Sequence, residues 1–227
     1  SRTAGVEGGS AWGSGVAAVD IDGDRDLDLY VCNYGSPNQL FINDGKANFV
    51  ESASRFGLAR SGAFSMAAFA EYHLDRDLDV YLLGHRFYRA GGRPDRPVTV
   101  VKNGRTQILP EFEDYYGISQ RGGKMQINNV GAPDKLLRND NGRFVDATRA
   151  AGISSGRYHG NSVTWWDFNH DGLPDLHVGN DFEDPDLLYR NNGNGTFTDV
   201  TERQLPHTSW FTMGADCGGL NNDGLID

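Results

Sequence analysis

The sequence predicts an all-β protein, a segment of a β-propeller with four-stranded blades and a calcium loop between the first and second strands of each blade. Three observations predict this fold. A nine-residue acidic loop occurs four times, short apolar segments with hairpin turns follow the loops, and no long segment holds apolar residues at the helical spacing. Repeated units of about 50 residues with four short strands are typical of propeller blades.

The first unit shows how the strands of a blade are read from the sequence. Residues 15–19 lead into the acidic loop, residues 27–32 leave it, residues 39–42 follow, and residues 49–50 open the last strand. Asp-Gly and Asn-Gly turns favour hairpins because they accept a positive φ. The leading strand is rich in glycine, alanine and serine, which suits an innermost strand crowded at a central axis.

The acidic loops begin at residues 20, 71, 167 and 219, so their separations are 51, 96 and 52 residues. The long separation equals one period plus an insert, which we place at about residues 85–130. Carboxylates at alternate positions of a tight loop repel one another unless a cation lies among them. Calcium binds six to eight such oxygens, so the repeat predicts Ca²⁺ as the cofactor.

The third loop, residues 167–175, has the best ligand pattern. Its predicted ligands are Asp167, Asn169, Asp171, the backbone carbonyl of Leu173, and Asp175. Gly172 provides the sharp turn at position 6. His170 is expected to point into solvent, because calcium prefers oxygen ligands.

The other three loops depart from this pattern. The predicted ligands are Asp20, Asp22, Asp24, Asp26 and Asp28 in the first loop, Glu71, Asp75 and Asp79 in the second, and Asn221, Asp223 and Asp227 in the fourth. Arg25 replaces the glycine of the first loop, where a positive φ strains a residue with a Cβ. In the second loop His73 and Arg76 replace a ligand and the glycine, so this loop either binds calcium or is held without metal by arginine–carboxylate pairs. Gly219 leaves the fourth site incomplete.

The repeat divides the chain into five parts. Residues 1–14 are the tail of a preceding blade, 15–60 a blade with a calcium loop, 61–155 a blade with the insert, 156–206 the blade with the best loop, and 207–227 the start of a further, truncated blade. Residues 1–6 match residues 148–153, and the chain stops at the last position of the fourth loop. We therefore expect a piece of a longer polypeptide, or a ring completed by other copies.

Composition limits the partners. The formal net charge of -10 argues against nucleic acid, because phosphate binding requires clustered lysine and arginine. No apolar run is long enough to insert into a membrane. The two cysteines, Cys32 and Cys217, resemble no zinc or haem motif, and we interpret them as buried thiols rather than a disulfide.

Several motifs resemble a known family. The acidic loops, followed by Leu-Tyr-Arg-Asn-Asn-Gly-Asn-Gly-Thr-Phe at residues 188–197, resemble FG-GAP/VCBS repeats, the blades of integrin-α-type propellers. Residues 165–167, 179–186 and 206–214 are similar to secreted bacterial proteins of the ASPIC/UnbV and cartilage-acidic-protein type. The resemblance implies a seven-bladed calcium-binding propeller that is secreted, extracellular or periplasmic. It implies no single activity, because the fold hosts many.

Three functional hypotheses follow. The first is a non-enzymatic extracellular module for adhesion, scaffolding, or binding a protein or glycan on a cell surface or in an extracellular assembly. The second is a polysaccharide lyase or hydrolase that uses the insert, where Glu111 and Glu113 could act as paired carboxylates. No nucleophile elbow, phosphate loop or zinc motif supports a catalytic assignment. The third is a self-associating subunit of an extracellular filament or surface complex, with residues 98–101 in a docking hairpin.

Overall fold

The computed structural model describes residues 2–154, 156–182, 184–221 and 223 and shows an all-β fold. The strands are β1 (Trp12–Val19), β2 (Asp28–Pro37), β3 (Gln39–Asn43), β4 (Phe49–Glu51), β5 (Ser61–Ala70), β6 (Asp79–Gly84), β7 (Thr99–Lys102), β8 (Arg105–Ile108), β9 (Tyr116–Arg121), β10 (Lys124–Asn129), β11 (Lys135–Asn139), β12 (Phe144–Asp146), β13 (Gly160–Trp166), β14 (Asp175–Asn180), β15 (Leu187–Asn191) and β16 (Phe197–Asp199). The helical elements are short: α1 (Ala53–Phe56), α2 (Thr201–Gln204), and 3₁₀ turns at Arg2–Ala4 and Pro110–Phe112. None of the helices in the described part of the chain has the length or the apolar run needed to cross a bilayer.

The strands form three antiparallel meanders of four strands, which we call blades 1, 2 and 3. Blade 1 is β1-β2-β3-β4, blade 2 is β5-β6-β11-β12, and blade 3 is β13-β14-β15-β16. Pairing of β2 with β5, at Tyr34 opposite Ala63 and Pro37 opposite Ser61, joins blades 1 and 2 into one curved sheet. The prediction of all-β structure in four-stranded units is confirmed, and the fold is β-propeller-like.

The core lies between neighbouring blades. One apolar cluster, which includes Tyr30, Leu40 and Leu82, joins blades 1 and 2. A second cluster, which includes Tyr81 and Val178, joins blades 2 and 3. Each blade thus buries apolar residues against its neighbour, as face-to-face sheets do. Of the two cysteines, Cys32 is buried on β2, as the sequence indicated, whereas Cys217 is half-buried rather than buried; both are free thiols in the described part of the chain.

The innermost strands β1, β5 and β13 lie side by side and are held together through small residues. The Ser14 hydroxyl donates to the carbonyl oxygen of Phe64 at 2.5 Å. The Ser65 hydroxyl donates to that of Gly160 at 3.2 Å. A Cβ at Gly15 would lie 2.3 Å from the carbonyl oxygen of Ser65, so this approach requires glycine. The small-residue pattern of the leading strands therefore reflects close contact between inner strands.

Replacing Gly15 by alanine is expected to destabilise the fold by about 1–3 kcal/mol, because the new methyl group collides with backbone that cannot give way. Gly13→Ala on the same strand is the control, since its Cβ would make ordinary contacts with Val31 Cγ1 at 3.5 Å and Asn33 Oδ1 at 3.9 Å. Urea unfolding of both variants measures the difference. Equal stability of the two variants would contradict the close approach of β1 and β5.

The acidic loops and the insert lie at opposite ends of the strands. Each of the first three loops joins the end of an innermost strand to the start of the next strand. The insert instead begins at the end of β6. This end of β6 pairs with the start of β5, so it lies at the opposite end of the strands from the acidic loop that follows β5. It forms two hairpins, β7-β8 and β9-β10. The molecule therefore has two separate ends where a ligand could be held.

Candidate metal centre

The three acidic loops at residues 20–28, 71–79 and 167–175 share one backbone conformation. Positions 4 and 6 of each loop have a positive φ: Gly23 (77°), Leu74 (60°) and His170 (60°) at position 4, and Arg25 (77°), Arg76 (81°) and Gly172 (84°) at position 6. The expected positive φ at Arg25 is confirmed, and His170 is exposed as expected. The loop geometry thus persists where the glycine is absent, at the expense of backbone strain.

The last aspartate of each loop is buried, and its carboxylate joins the loop to another strand of the blade by hydrogen bonds. Asp28, Asp79 and Asp175 are fully buried. One carboxylate oxygen accepts the N–H at loop position 2, from Ile21 (2.9 Å), Tyr72 (3.2 Å) and Phe168 (3.2 Å) respectively. The other oxygen accepts the N–H of an asparagine on the third strand of the blade, at Asn43 (2.8 Å), Asn139 (2.8 Å) and Asn191 (2.7 Å). These residues, predicted only as metal ligands, also fix the loop to the sheet.

The asparagines were not identified from the sequence as part of the loops. Their side-chain amides donate to the carbonyl at loop position 8, from Asn43 to Leu27 (3.2 Å), Asn139 to Leu78 (3.3 Å) and Asn191 to Pro174 (3.0 Å). The signal was present, since an asparagine recurs just before each hairpin turn, where we interpreted it as turn chemistry. Asn191 also donates to the carbonyl of Tyr72 at 2.8 Å and so links blade 3 to blade 2.

Asn191→Ala is expected to destabilise the protein by about 2 kcal/mol, because it leaves buried carbonyl groups of two blades without their donor. The neighbouring Asn192 is exposed, and its hydrogen bonds face solvent. Asn192→Ala is therefore the matched control and should lower the free energy of unfolding only slightly. Chemical denaturation of both variants tests this, and a stable Asn191→Ala protein would show that the inter-blade bond contributes nothing.

The first loop brings its carboxylates closest together. Oxygen atoms of Asp20, Asp22 and Asp28 all lie within 4.8 Å of one another. This is the only such group of three or more acidic, histidine or cysteine ligands in the described part of the chain. The pKa of Asp22 is raised, first by burial and then by the charges of Asp24 and Asp20. Carboxylate oxygens gathered in this way are the ligand type that a hard divalent cation binds.

The third loop is organised by internal hydrogen bonds. Asp167 accepts the N–H groups of Asp171 (3.0 Å) and Gly172 (2.8 Å). The Asn169 amide donates to the Asp171 carboxylate at 2.9 Å. Burial raises the pKa of Asp175 to about 6, with smaller increases from Asp171 and Asp167. The loop has the predicted oxygen donors, but its carboxylates are not gathered as closely as those of the first loop.

The second loop contains an internal partner for its carboxylates. His73 Nδ1 lies 2.7 Å from Asp79 and Nε2 lies 2.9 Å from Asp75, so the imidazole stands between two predicted ligands. The Arg76 backbone N–H donates to Glu71, and the described residues show no arginine–carboxylate pair in this loop. The arginine–carboxylate pairs predicted for a loop without metal are therefore not found among the described residues, and His73 stands between Asp75 and Asp79 instead.

The fourth loop is only partly described. The Asn221 amide donates to the Asp223 carboxylate at 3.1 Å, and the Asp223 N–H donates to Asn221 at 3.0 Å. The same two bonds join Asn169 and Asp171 in the third loop. Asp227, its last predicted ligand, lies outside the described residues.

Four-stranded units, each with an acidic loop between its first two strands, define a repeat protein of the β-propeller-like class. Residues 20–82 and 167–227, more than half of the chain, match the family model for the FG-GAP-like repeat, and the chain belongs to this family. Both matched segments start at the first residue of an acidic loop. The repeat is therefore supported by the fold and by the family model together.

The chain is also similar to cartilage acidic protein 1. It is 26% identical to that protein of Mus musculus over 182 residues, and 26% identical over the same length to that of Homo sapiens. The alignment covers 78% of this chain and 22% of each relative. The chain thus spans about a fifth of the length of the curated relatives that it matches.

Proposed function

We propose that this protein is a calcium-stabilised, non-enzymatic extracellular β-propeller module that binds a protein or glycan partner. The observation that carries the proposal is the convergence of Asp20, Asp22 and Asp28 at a strand connection. Calcium there would neutralise the repulsion and hold the loop. Outside cells calcium is abundant enough to fill weak sites with dissociation constants of about 10⁻⁴–10⁻³ M. Similarity to a protein named for cartilage supports the extracellular location.

Two of the loops would hold the ions. In the first, Asp20, Asp22 and Asp28 are the principal donors; in the third, Asp167, Asp171 and Asp175 are joined by Asn169 and the Leu173 carbonyl. The second loop would hold none, because His73 takes the place of the cation. The proposal includes a seven-bladed ring, formed by a longer chain or by self-association. Inter-blade packing seen twice among the described residues supports repetition of the same contact.

A calorimetric calcium titration tests the ligand assignment. Asp22→Asn should abolish binding at the first loop, and Asp171→Asn should weaken binding at the third. Asp75→Asn removes a carboxylate from the histidine-filled second loop and is the control, so its titration should match that of the unchanged protein. Absence of calcium binding at millimolar concentration, or equal losses in Asp22→Asn and Asp75→Asn, would refute the assignment.

The enzymatic alternative receives no support from the predicted carboxylate pair. The Glu111 carboxylate accepts a hydrogen bond from Arg96 at 3.0 Å. Its pKa is lowered by its own backbone N–H and by Arg96, so the carboxyl stays ionised and is poorly suited to donate a proton. The arginines of the insert favour a ligand-binding role over a catalytic one.

A further inference from the structure

The insert forms an open cavity at the end of the blades opposite the acidic loops. Its volume is about 660 Å³. Four arginines line it, namely Arg86, Arg89, Arg93 and Arg96, whereas Asp95 is its only acidic lining residue in the described part of the chain. The chain as a whole has 31 acidic and 21 basic residues, so this cavity reverses the charge of the protein locally. A cation-lined cavity on an acidic protein selects for an anion.

Most of these arginines lack an acidic partner. Arg96 pairs with Glu111 at 3.0 Å, and Arg89 donates to the carbonyl of Gly92 at 2.9 Å. Neither Arg86 nor Arg93 has an ion pair among the described residues. Guanidinium groups bind carboxylate and sulfate oxygens through paired hydrogen bonds. Two to three of them are therefore available to an anionic ligand.

Aromatic rings hold three of the four arginines in place and leave their charge unchanged. The Arg86 guanidinium lies 4.7 Å from the ring centre of Tyr88 and 5.2 Å from that of Phe182. Its Nε is buried and has no hydrogen-bond partner among the described residues. Arg89 and Arg96 lie 5.6 and 5.0 Å from the ring centre of Phe112. The cations are thus positioned before any ligand arrives, which lowers the cost of ordering them.

Other blades support the cavity wall. The Tyr34 ring of blade 1 lies 5.8 Å from Phe87 and 6.2 Å from Tyr88. The Tyr88 backbone N–H also donates to the Tyr34 hydroxyl. Phe182, which packs on Arg86, follows the end of β14 in blade 3. The cavity is therefore built on the body of the protein by residues from three blades.

We propose that this cavity binds a short anionic oligosaccharide, a ligand class that rests on the proposed binding function. Tyr115 and Tyr116 line it together with Tyr88, which is 61% exposed. Sugar rings stack their C–H faces on such rings, while their carboxylates or sulfates pair with the guanidinium groups. The cavity volume falls within the range of about 300–1,000 Å³ typical of small-ligand sites, which suits a few sugar units.

Fluorescence polarisation with a labelled galacturonate hexamer tests the proposal. The methyl-esterified hexamer, which has the same sugar ring without the charge, should bind at least tenfold more weakly. Arg93→Gln should weaken binding of the charged hexamer about tenfold, because a charge-assisted bond is lost. Arg143→Gln removes an exposed arginine of the β11-β12 hairpin and should change nothing. Equal effects of Arg93→Gln and Arg143→Gln would overturn the site.

A second comparison separates a glycan from other polyanions. Tyr115→Leu removes a ring of the cavity lining that makes no cation–π contact with an arginine among the described residues. It should weaken binding of the galacturonate hexamer several-fold while leaving the weak binding of polyglutamate unchanged. Polyglutamate binding as tightly as the galacturonate hexamer would overturn the glycan class, and no binding of the hexamer would overturn the inference entirely. Neither result affects calcium binding at the acidic loops, so failure here is distinguishable from failure of the proposed calcium role.

Discussion

Removal of calcium is expected to lower the melting temperature of this protein by about 10 °C. An ion that binds only the folded chain stabilises it by about 2 kcal/mol per site at roughly 20–30 times its dissociation constant. Two loops would therefore contribute about 4 kcal/mol. For a chain of this size each kcal/mol moves the melting temperature by about 2–4 °C. Differential scanning calorimetry with excess chelator, followed by calcium add-back, measures the effect.

Single-loop variants divide this effect between the loops. Asp22→Asn should remove about half of the chelator-sensitive shift, because it disrupts only the first loop. Asp75→Asn, in the loop occupied by His73, should leave the shift intact. Magnesium should restore less stability than calcium, because it requires a smaller octahedral site. A melting temperature unchanged by chelator, or restored equally by magnesium, would show that the loops need no calcium.

The strands and loops could be predicted from the sequence because they depend on local patterns. Alternating apolar residues and Asn-Gly or Asp-Gly turns specify the meanders, and the recurring loop fixes positive φ at the same two positions even with Arg25 or Arg76 in place of glycine. The length of the repeat and the residue types at its turns can both be read from short stretches of sequence. Architecture of this kind therefore follows directly from one sequence.

The ranking of the loops could not be predicted, because it depends on how side chains meet in space. The third loop matches the ligand pattern best, yet the first loop gathers its carboxylates most closely. His73 was recognised as a missing ligand, but its placement between Asp75 and Asp79 follows from the folded loop. The spacing of acidic residues in the sequence shows which loops carry oxygen ligands. It does not show which side chains those oxygens contact in the folded protein.

The arginine cavity was hidden for a similar reason. The sequence showed arginines and tyrosines in the insert, but Phe182 and Tyr34 reach it from blades that are distant in the chain. Only the arrangement of blades brings them together. Long-range contacts of this kind leave no periodic signal in a single sequence.

The second large effect is expected at Asp134, where Asp134→Asn should stabilise the protein above pH 7. Asp134 is buried and accepts hydrogen bonds from the Tyr81 hydroxyl (2.7 Å) and the Gly84 N–H (2.6 Å). Burial raises its pKa to about 7. The groups that face it are neutral, namely the phenols of Tyr81, Tyr158 and Tyr189.

The sign follows from proton binding. Between about pH 4 and pH 7 the unfolded chain loses this proton while the folded protein keeps it. Each pH unit in that window therefore lowers the free energy of unfolding by up to about 1.4 kcal/mol. Above pH 7 both states are ionised and the penalty is complete. Asparagine cannot ionise, so the variant avoids the penalty.

Blade 1 shows that asparagine fits this position. Asn38 accepts the N–H of Asn33 at 2.8 Å and donates to the Tyr30 hydroxyl at 2.8 Å. Asp134 likewise contacts a backbone N–H and a tyrosine hydroxyl in blade 2, but it accepts from the tyrosine. The Tyr30 hydroxyl also donates to the carbonyl of Leu58 at 3.0 Å. The described residues offer Tyr81 no such second acceptor, so the gain will be smaller than the full ionisation penalty.

Urea unfolding at pH 4.5 and pH 8 measures the result. We expect Asp134→Asn to gain about 1–2 kcal/mol at pH 8 and little or nothing at pH 4.5. Asp114→Asn, at an exposed position of the insert, is the control and should change neither value. A difference between Asp134→Asn and the unchanged protein that is the same at both pH values would mean that the buried carboxyl does not titrate in this window. Any effect of Asp134→Asn on the free energy of unfolding would then arise from packing. The asparagine at the equivalent position of blade 1, Asn38, would differ from Asp134 in how its side chain packs and not through its charge.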